Sequence, residues 1–140
     1  MPRVVSLPMR FLNDRHVEWL IRWAFAIVYV WFGILKFTDL SPAHDLVMQT
    51  LSMVPVDNVS ALLGGWEIII GLCFLAPRFT KITLSMFFVH IAGTFLPVFF
   101  LPSVTWLKPP YGLSFVGQYI LKNLVFIAAG TALAQRSLRS

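Results

Sequence analysis

Four long apolar runs, separated by short polar stretches, divide the chain. They cover about residues 17–37, 59–76, 82–101 and 115–134. A helix rises 1.5 Å per residue, so runs of this length suit the hydrocarbon core of a bilayer, which is about 30 Å thick. The pattern predicts an all-α fold, an integral membrane four-helix bundle that forms a single transmembrane domain over residues 1–140. The first run is predicted to be retained, because its far end has no small-residue site for signal cleavage.

The connectors between the runs have their own patterns. Residues 38–57 contain HDLVMQTLSMV, whose loose alternation of polar and apolar groups predicts an amphipathic helix at the membrane interface. Pro77 is expected to end the second run, and Pro97 to bend or end the third. Residues 102–114 are rich in proline and aromatic residues, which suits a cap at the level of the lipid headgroups.

Composition excludes several classes of protein. Apolar residues make up 58% of the chain, charged residues 12%, and the mean hydropathy is +0.78. A small soluble domain could not cover its surface with so few charges, so a soluble enzyme or a disordered chain is excluded. The single cysteine, Cys73, excludes an internal disulfide.

The net charge of +5 indicates membrane topology rather than nucleic-acid binding. The basic residues form short patches beside the apolar runs, without a basic stripe. An even number of spans places eight of them on one face: Arg3, Arg10, Arg15, Arg22, Arg78, Lys81, Arg136 and Arg139. Lys108 is the base on the opposite face. The positive-inside rule therefore predicts that both termini are cytoplasmic.

Four ionisable residues of the predicted spans qualify as candidate functional residues, because such groups are costly inside a membrane. They are Lys36, Glu67, His90 and Lys122. Counting inward from the outer face, Glu67 is roughly 12–14 Å deep and Lys122 roughly 10–12 Å deep. The matching depth predicts that this acid and this base meet inside the bundle, with Lys36 above them and His90 below.

Small and polar neighbours support a pocket at this depth. Gly33, Gly64 and Gly71 recur at helical spacing beside the ionisable residues, and small residues permit close helix packing in lipid. Tyr29 shares the face of Lys36, while Gln118 and Asn123 accompany Lys122. We therefore expect a ligand or proton pocket that opens to the outer face. Two other interpretations stay open: a structural ion pair that fixes helix register, and a Lys36 that extends to the headgroups.

Several chemistries are disfavoured by the residue inventory. A haem held between helices needs two axial ligands, and His90 is the histidine within a span. No cluster of histidine, cysteine and acidic residues has metal-ligand spacing, and no glycine-rich phosphate loop is evident. A small or amphipathic molecule such as a quinone, or a proton, remains as the expected occupant. Catalytic residues cannot be assigned, and no intrinsic cofactor is expected.

Three segments resemble the DoxX-like family of four-helix bacterial membrane proteins and, more loosely, the MauE and reactive-chlorine-stress groups. They are Gly33–Ile34–Leu35–Lys36–Phe37, Gly64–Gly65–Trp66–Glu67 with Gly71, and Gly117–Gln118–Tyr119–Ile120–Leu121–Lys122–Asn123. The resemblance covers about residues 17–135. Relatives in the chlorine-stress group carry Lys-Asp where this chain has Lys122–Asn123, which puts a shared two-acid mechanism in doubt.

The resemblance implies a protein of the bacterial inner membrane that is linked to redox or oxidative-stress work. One branch is similar to a quinone-reducing thiosulfate dehydrogenase, so the chain is expected to be at most a membrane subunit of a quinone-linked oxidoreductase. The expected partners are the lipid bilayer and either another protein or further copies of the chain. The alternatives are a small solute or proton transporter, and a structural accessory subunit of a larger membrane complex.

Overall fold

The computed structural model describes residues 13–137 except residues 39, 54, 56 and 57. This part of the chain is mostly helical, in agreement with the sequence pattern. The helices are α1 (Asp14–Leu35), α2 (His44–Thr50), α3 (Val59–Phe74), α4 (Thr80–Thr94), α5 (Leu96–Phe100), α6 (Pro102–Thr105), α7 (Phe115–Leu121) and α8 (Asn123–Ser137), with a 3-10 turn at Pro77–Phe79 before α4. Two short strands, β1 (Trp106–Lys108) and β2 (Gly112–Leu113), form an antiparallel hairpin between α6 and α7.

Three helical segments in the described chain are long and apolar enough to cross a membrane: Asp14–Leu35, Pro77–Phe100 and Phe115–Ser137. The remaining predicted span corresponds to α3, an apolar helix of 16 residues. At 1.5 Å per residue α3 is about 24 Å long, shorter than a typical hydrocarbon core. The chain is therefore a membrane protein by the length and composition of its helices.

Two predicted local features are confirmed. The 38–57 connector contains a helix, α2, and the third apolar run is interrupted before Pro97. Proline lacks a backbone N–H and clashes with the preceding turn of a helix, so α4 ends at Thr94 and Pro97 lies in the first turn of α5. The fourth run was expected to be continuous, but Lys122 separates α7 from α8.

Helices α1 and α3 are antiparallel and approach closely at two glycines. A Cβ atom on Gly33 would lie 2.6 Å from the carbonyl oxygen of Gly64, and one on Gly64 would lie 2.7 Å from that of Gly33. Real Cβ atoms do not approach backbone oxygens this closely, so both positions require glycine. The close packing of small residues predicted from the sequence is confirmed here.

An aromatic core lies in the middle of the bundle. The Phe25 ring stacks on Phe74 with centroids 4.6 Å apart, and the Phe74 ring meets the edge of Phe87 at 5.6 Å. The other buried members of the core are Tyr29, Ile70, Leu84, Ile91 and Leu133. This core joins α1, α3, α4 and α8 below the functional site.

Arg22 ties three helices together beneath the core. Its side chain donates to the Glu18 carboxylate (2.7 and 2.9 Å), to the Phe74 carbonyl oxygen (3.1 Å) and to Thr80 Oγ1 (2.8 Å). The residue is 1% exposed. Its guanidinium thus satisfies a carbonyl at the end of α3 that the helix itself leaves unpaired. We call this part of the bundle the arginine end.

This burial corrects the charge count used for topology. Arg22 was counted as a base facing the cytoplasmic surface, but it lies inside the bundle with its donors bound to protein groups. Three other counted bases, Arg3, Arg10 and Arg139, lie outside the described residues. The bases that are exposed near this end are Arg15, Arg78 and Lys81.

The first and last described helices meet at the arginine end. Arg136 near the end of α8 donates to the backbone oxygen of Asp14 (2.7 Å) and to its carboxylate (3.1 Å) at the start of α1. Both ends of the described bundle therefore lie on the same side.

We expect Arg22→Leu to lower the free energy of unfolding by about 2 kcal/mol, because the buried Phe74 carbonyl loses its donor. The measurement is unfolding of the purified protein in detergent, followed by tryptophan fluorescence. Arg15→Leu is the matched control, since Arg15 is an exposed base on the same helix. Equal effects of the two substitutions would show that the buried tie adds no stability.

Candidate functional site

Glu67 forms the centre of a buried charged cluster. Its Oε2 accepts from Lys36 Nζ at 2.6 Å, and its Oε1 lies 3.2 Å from His90 Nε2. The three side chains come from α3, α1 and α4, and each is between 7 and 11% exposed. The carboxylate therefore has a separate partner at each oxygen. We call Lys36, Glu67 and His90 the charged triad, after the ion pair between Lys36 and Glu67.

The glycine contact explains why the triad forms. Lys36 follows Gly33 by three residues on α1, and Glu67 follows Gly64 by three residues on α3. Residues three apart lie on one helix face, so the contact between the glycines sets both long side chains into the same interface. A Cβ on Gly64 would lie only 2.9 Å from Lys36 Cβ, which shows how directly the lysine lies over this glycine.

Tyr29 contributes an unpartnered hydroxyl beside the triad. Its ring meets the edge of the His90 ring with centroids 5.4 Å apart, and the residue is 5% exposed. Among the described residues its hydroxyl has no hydrogen-bond partner, although the oxygen itself is buried. Buried polar groups are nearly always hydrogen-bonded, so this unpaired hydroxyl is an exception that calls for an explanation.

A second polar contact lies near the triad, between α4 and α8. The Asn123 amide donates to Thr94 Oγ1 at 2.8 Å, and the Thr94 hydroxyl donates to the Ile91 carbonyl oxygen at 2.6 Å. Asn123 and Thr94 both line the same cavity as the triad. Asn123 thus connects α8 to α4 by a hydrogen bond and also lines the cavity.

The cavity itself has a volume of about 340 Å³. Its lining is mostly apolar and includes Phe32, Trp66 and Phe126. The α2 helix covers one side through Leu46 and Val47. A mostly apolar cavity of this size with a few convergent polar groups is typical of a small-molecule site.

Helix α2 is fixed over the cavity by one side-chain contact to α3, with His44 Nδ1 3.2 Å from Ser60 Oγ. The sequence pattern predicts α2 but does not reveal that this helix forms a wall of the site. The apolar face of α2 was the sequence signal for this role. It did not decide the question, because a helix at the membrane interface and a helix that covers a cavity both have an apolar face.

Five of the candidate residues line the cavity: Tyr29, Lys36, Glu67, His90 and Asn123. Gln118 and Lys122 do not line it. Both of these side chains are exposed, and Lys122 contacts no acidic side chain in the described ranges. The predicted contact between Glu67 and Lys122 is therefore wrong. Consecutive residues on a helix differ in direction by about 100°, so when Asn123 faces the interior, Lys122 faces outward.

The interpretation of Lys36 also changes. A lysine near a span end can extend to the headgroups, but here it binds Glu67 inside the bundle. The equal spacing of Gly33–Lys36 and Gly64–Glu67 was the signal that could have identified this pair from the sequence.

Among the described residues, no group of three or more histidine, cysteine or acidic side chains is placed to hold a metal ion. Comparisons with protein-family models, curated proteins and solved structures give no match to the chain, so the interpretation of the site depends on its own geometry.

Proposed function

We propose that the chain is a DoxX-like protein of the bacterial inner membrane that binds a quinone beside the charged triad and acts as a subunit or partner of a redox system. In this proposal α3 is the second of four spans, so the bundle crosses the membrane four times. The exposed bases Arg15, Arg78 and Lys81 support placing the arginine end in the cytoplasm, because in the described chain Lys108 is the exposed base that lies beyond the candidate spans at the other end. The triad then lies nearer the outer face.

The buried hydroxyl of Tyr29 is the observation that carries the proposal. A quinone ring has two carbonyl oxygens, which accept hydrogen bonds, and a tyrosine hydroxyl is a donor. Tyr29 is one of the residues that line the cavity, and its buried hydroxyl has no protein partner among the described residues. A carbonyl oxygen of the ligand would supply the missing partner.

The rest of the cavity suits the same class of ligand. Aromatic and aliphatic side chains of Phe32, Trp66 and Phe126 offer surfaces for a flat ring and an apolar tail. The charged triad forms the polar end, and its imidazole and ammonium groups are held in place by Glu67. The cavity thus combines one polar end with long apolar walls, which matches an amphipathic molecule better than a hydrophilic solute.

A transport role is less well supported. Beneath the triad the described bundle is filled by the rings of Phe25, Phe74 and Phe87, which are at most 3% exposed. A proton or polar solute would need polar groups through this layer, whose clustered side chains are aromatic or aliphatic. Thr83 is also buried on α4, but its hydroxyl donates to the Phe79 carbonyl oxygen. Substrate-side chemistry in the proposed function would come from the partner protein.

We expect Tyr29→Phe to weaken binding of a short-chain ubiquinone by about tenfold, because the ligand loses one hydrogen bond in a buried site. The dissociation constant is measured by quenching of tryptophan fluorescence in nanodiscs. Without ligand, the variant should be as stable as the wild type or slightly more stable, since a buried unpaired hydroxyl has been removed.

Tyr111→Phe is the matched control, because Tyr111 is 72% exposed and lies outside the cavity. It should bind ubiquinone like the wild type. Failure of the wild type to bind, or equal affinities of the wild type and Tyr29→Phe, would contradict the proposal.

A further inference from the structure

The α7–α8 segment carries an outward stripe whose residues do not line the cavity. The stripe consists of Phe115, Gln118, Lys122 and Val125, which recur at steps of three and four residues and are all exposed. Phe115 and Val125 are apolar and are 83% and 68% exposed. The two residues between them are polar. The stripe therefore places an amide and an ammonium group on an otherwise apolar outer surface of a candidate membrane span.

Lys122 lies about two helical turns inside a candidate membrane span. It is the eighth residue of the candidate span Phe115–Ser137, and so roughly 10 Å along the helix from Phe115. A four-carbon stem reaches roughly 5–6 Å. No acidic side chain of the described chain lies within 4.0 Å of its ammonium group. A charged group in this position needs a partner from outside the chain.

Gln118 has unused hydrogen-bonding capacity on the same stripe. Its side-chain nitrogen Nε2 donates one long hydrogen bond, 3.4 Å, to the Leu113 carbonyl oxygen. Within the described residues, its side-chain oxygen Oε1 accepts no hydrogen bond. Polar side chains on the outer face of a membrane helix are used to join it to another helix. Gln118 and Lys122 lie one turn apart, so a neighbouring helix could pair with both if it carried polar side chains at the same depth.

The acidic residues of the described chain do not offer the required charge in a second copy. At the depth of Lys122 the acidic residue of the described chain is Glu67, and it is buried against Lys36 and His90. Asp14 and Glu18 lie at the arginine end, Asp45 lies on α2 rather than in a candidate span, and Asp39 and Asp57 lie outside the described residues. The described candidate spans therefore favour a carboxylate from a different protein.

We propose that the outward stripe binds a transmembrane helix of another subunit, whose carboxylate side chain pairs with Lys122 inside the membrane. The inference extends the subunit role proposed above but does not involve the ligand in the cavity. Helix binding and quinone binding can therefore succeed or fail separately.

The test uses synthetic leucine-rich transmembrane peptides that carry a single Glu, Gln or Leu eight residues from one end. Energy transfer between labelled peptide and labelled protein is measured in phosphatidylcholine vesicles. We expect the Glu peptide to bind about tenfold more tightly than the Leu peptide, as for a polar contact between membrane helices. Lys122→Leu should abolish this preference, and Lys122→Arg should keep it.

Lys108→Leu is the matched control, because it removes an exposed lysine that lies on β1, outside the candidate spans. It should keep the preference for the Glu peptide, and Lys122→Leu should still bind ubiquinone like the wild type. Equal binding of the Glu and Leu peptides, or a preference that survives Lys122→Leu, would overturn the proposal.

Two further results would replace the proposal of a partner helix with another role for Lys122. If Lys122 affects only the response of the protein to added phosphatidylglycerol, the lysine contacts lipid headgroups instead. If energy transfer between two labelled copies of the protein is lost in Lys122→Leu, the stripe is a self-association surface.

Discussion

Gly64→Val is expected to destabilise the protein by about 3–4 kcal/mol, because the new side chain would be forced against backbone. Even a single Cβ at this position would lie 2.7 Å from the Gly33 carbonyl oxygen. A backbone atom cannot rotate away as a side chain can, so α1 and α3 must move apart. Lys36 and Glu67 lie on the same interface, and their contact at 2.6 Å should be lost with it.

Gly65→Val provides the control at the next residue. A Cβ there would have its nearest neighbour, a Phe37 ring atom, at 4.0 Å, so the helices need not separate. Unfolding is measured in detergent for both variants, and ubiquinone binding reports on the site. We expect Gly65→Val to resemble the wild type in both measurements. A Gly64→Val protein as stable as Gly65→Val would show that the close approach of α1 and α3 is not required.

Glu67→Leu is expected to lower the free energy of unfolding by about 3–5 kcal/mol, the usual cost of leaving one member of a buried ion pair alone. The Lys36 side chain is 7% exposed and binds Glu67. The substitution therefore leaves the Lys36 ammonium group buried without its carboxylate partner. His90 also loses its contact with Oε1, but imidazole tolerates the loss better because it is stable in its neutral form. Unfolding monitored by tryptophan fluorescence measures the effect.

The double variant Glu67→Leu with Lys36→Met separates this cost from simple loss of packing. It removes both charges and keeps apolar bulk, and such replacements of buried ion pairs are often neutral. We expect most of the lost stability to return, while ubiquinone binding stays impaired because the polar end of the cavity is gone. Additive losses in the double variant would mean that Lys36 and Glu67 act independently.

The sequence predicted much of the architecture because bilayer helices are governed by length and hydrophobicity. The apolar runs correspond to α1, α3, the α4–α5 segment and the α7–α8 segment, and the effect of Pro97 followed from the chemistry of its ring. The glycine contact was also predictable, because Gly33 and Gly64 lie at helical spacing from polar residues. These features depend on single helices or on one repeated pattern.

The site was harder to predict because it depends on the rotation of each helix about its axis. Depth alone made Lys122 and Glu67 appear to be partners, but Lys122 faces outward and Asn123 faces inward. Arg22 was misassigned for a similar reason: a position near a span end suggested a surface base, whereas long-range contacts with Phe74 and Thr80 bury it. Such contacts join residues more than fifty positions apart, which no local pattern reports.

The modest length of α3 determines how a ligand would reach the cavity in a four-pass arrangement. With its last residue held by Arg22, a helix of about 24 Å begins about 6 Å beneath the far surface of a hydrocarbon layer about 30 Å thick. Helix α2, which precedes α3 and has no residue buried within the protein, then rests among the upper acyl chains. In that arrangement the proposed quinone would enter sideways, from the lipid. Its occupancy of the cavity would then follow its mole fraction in the bilayer rather than its concentration in water.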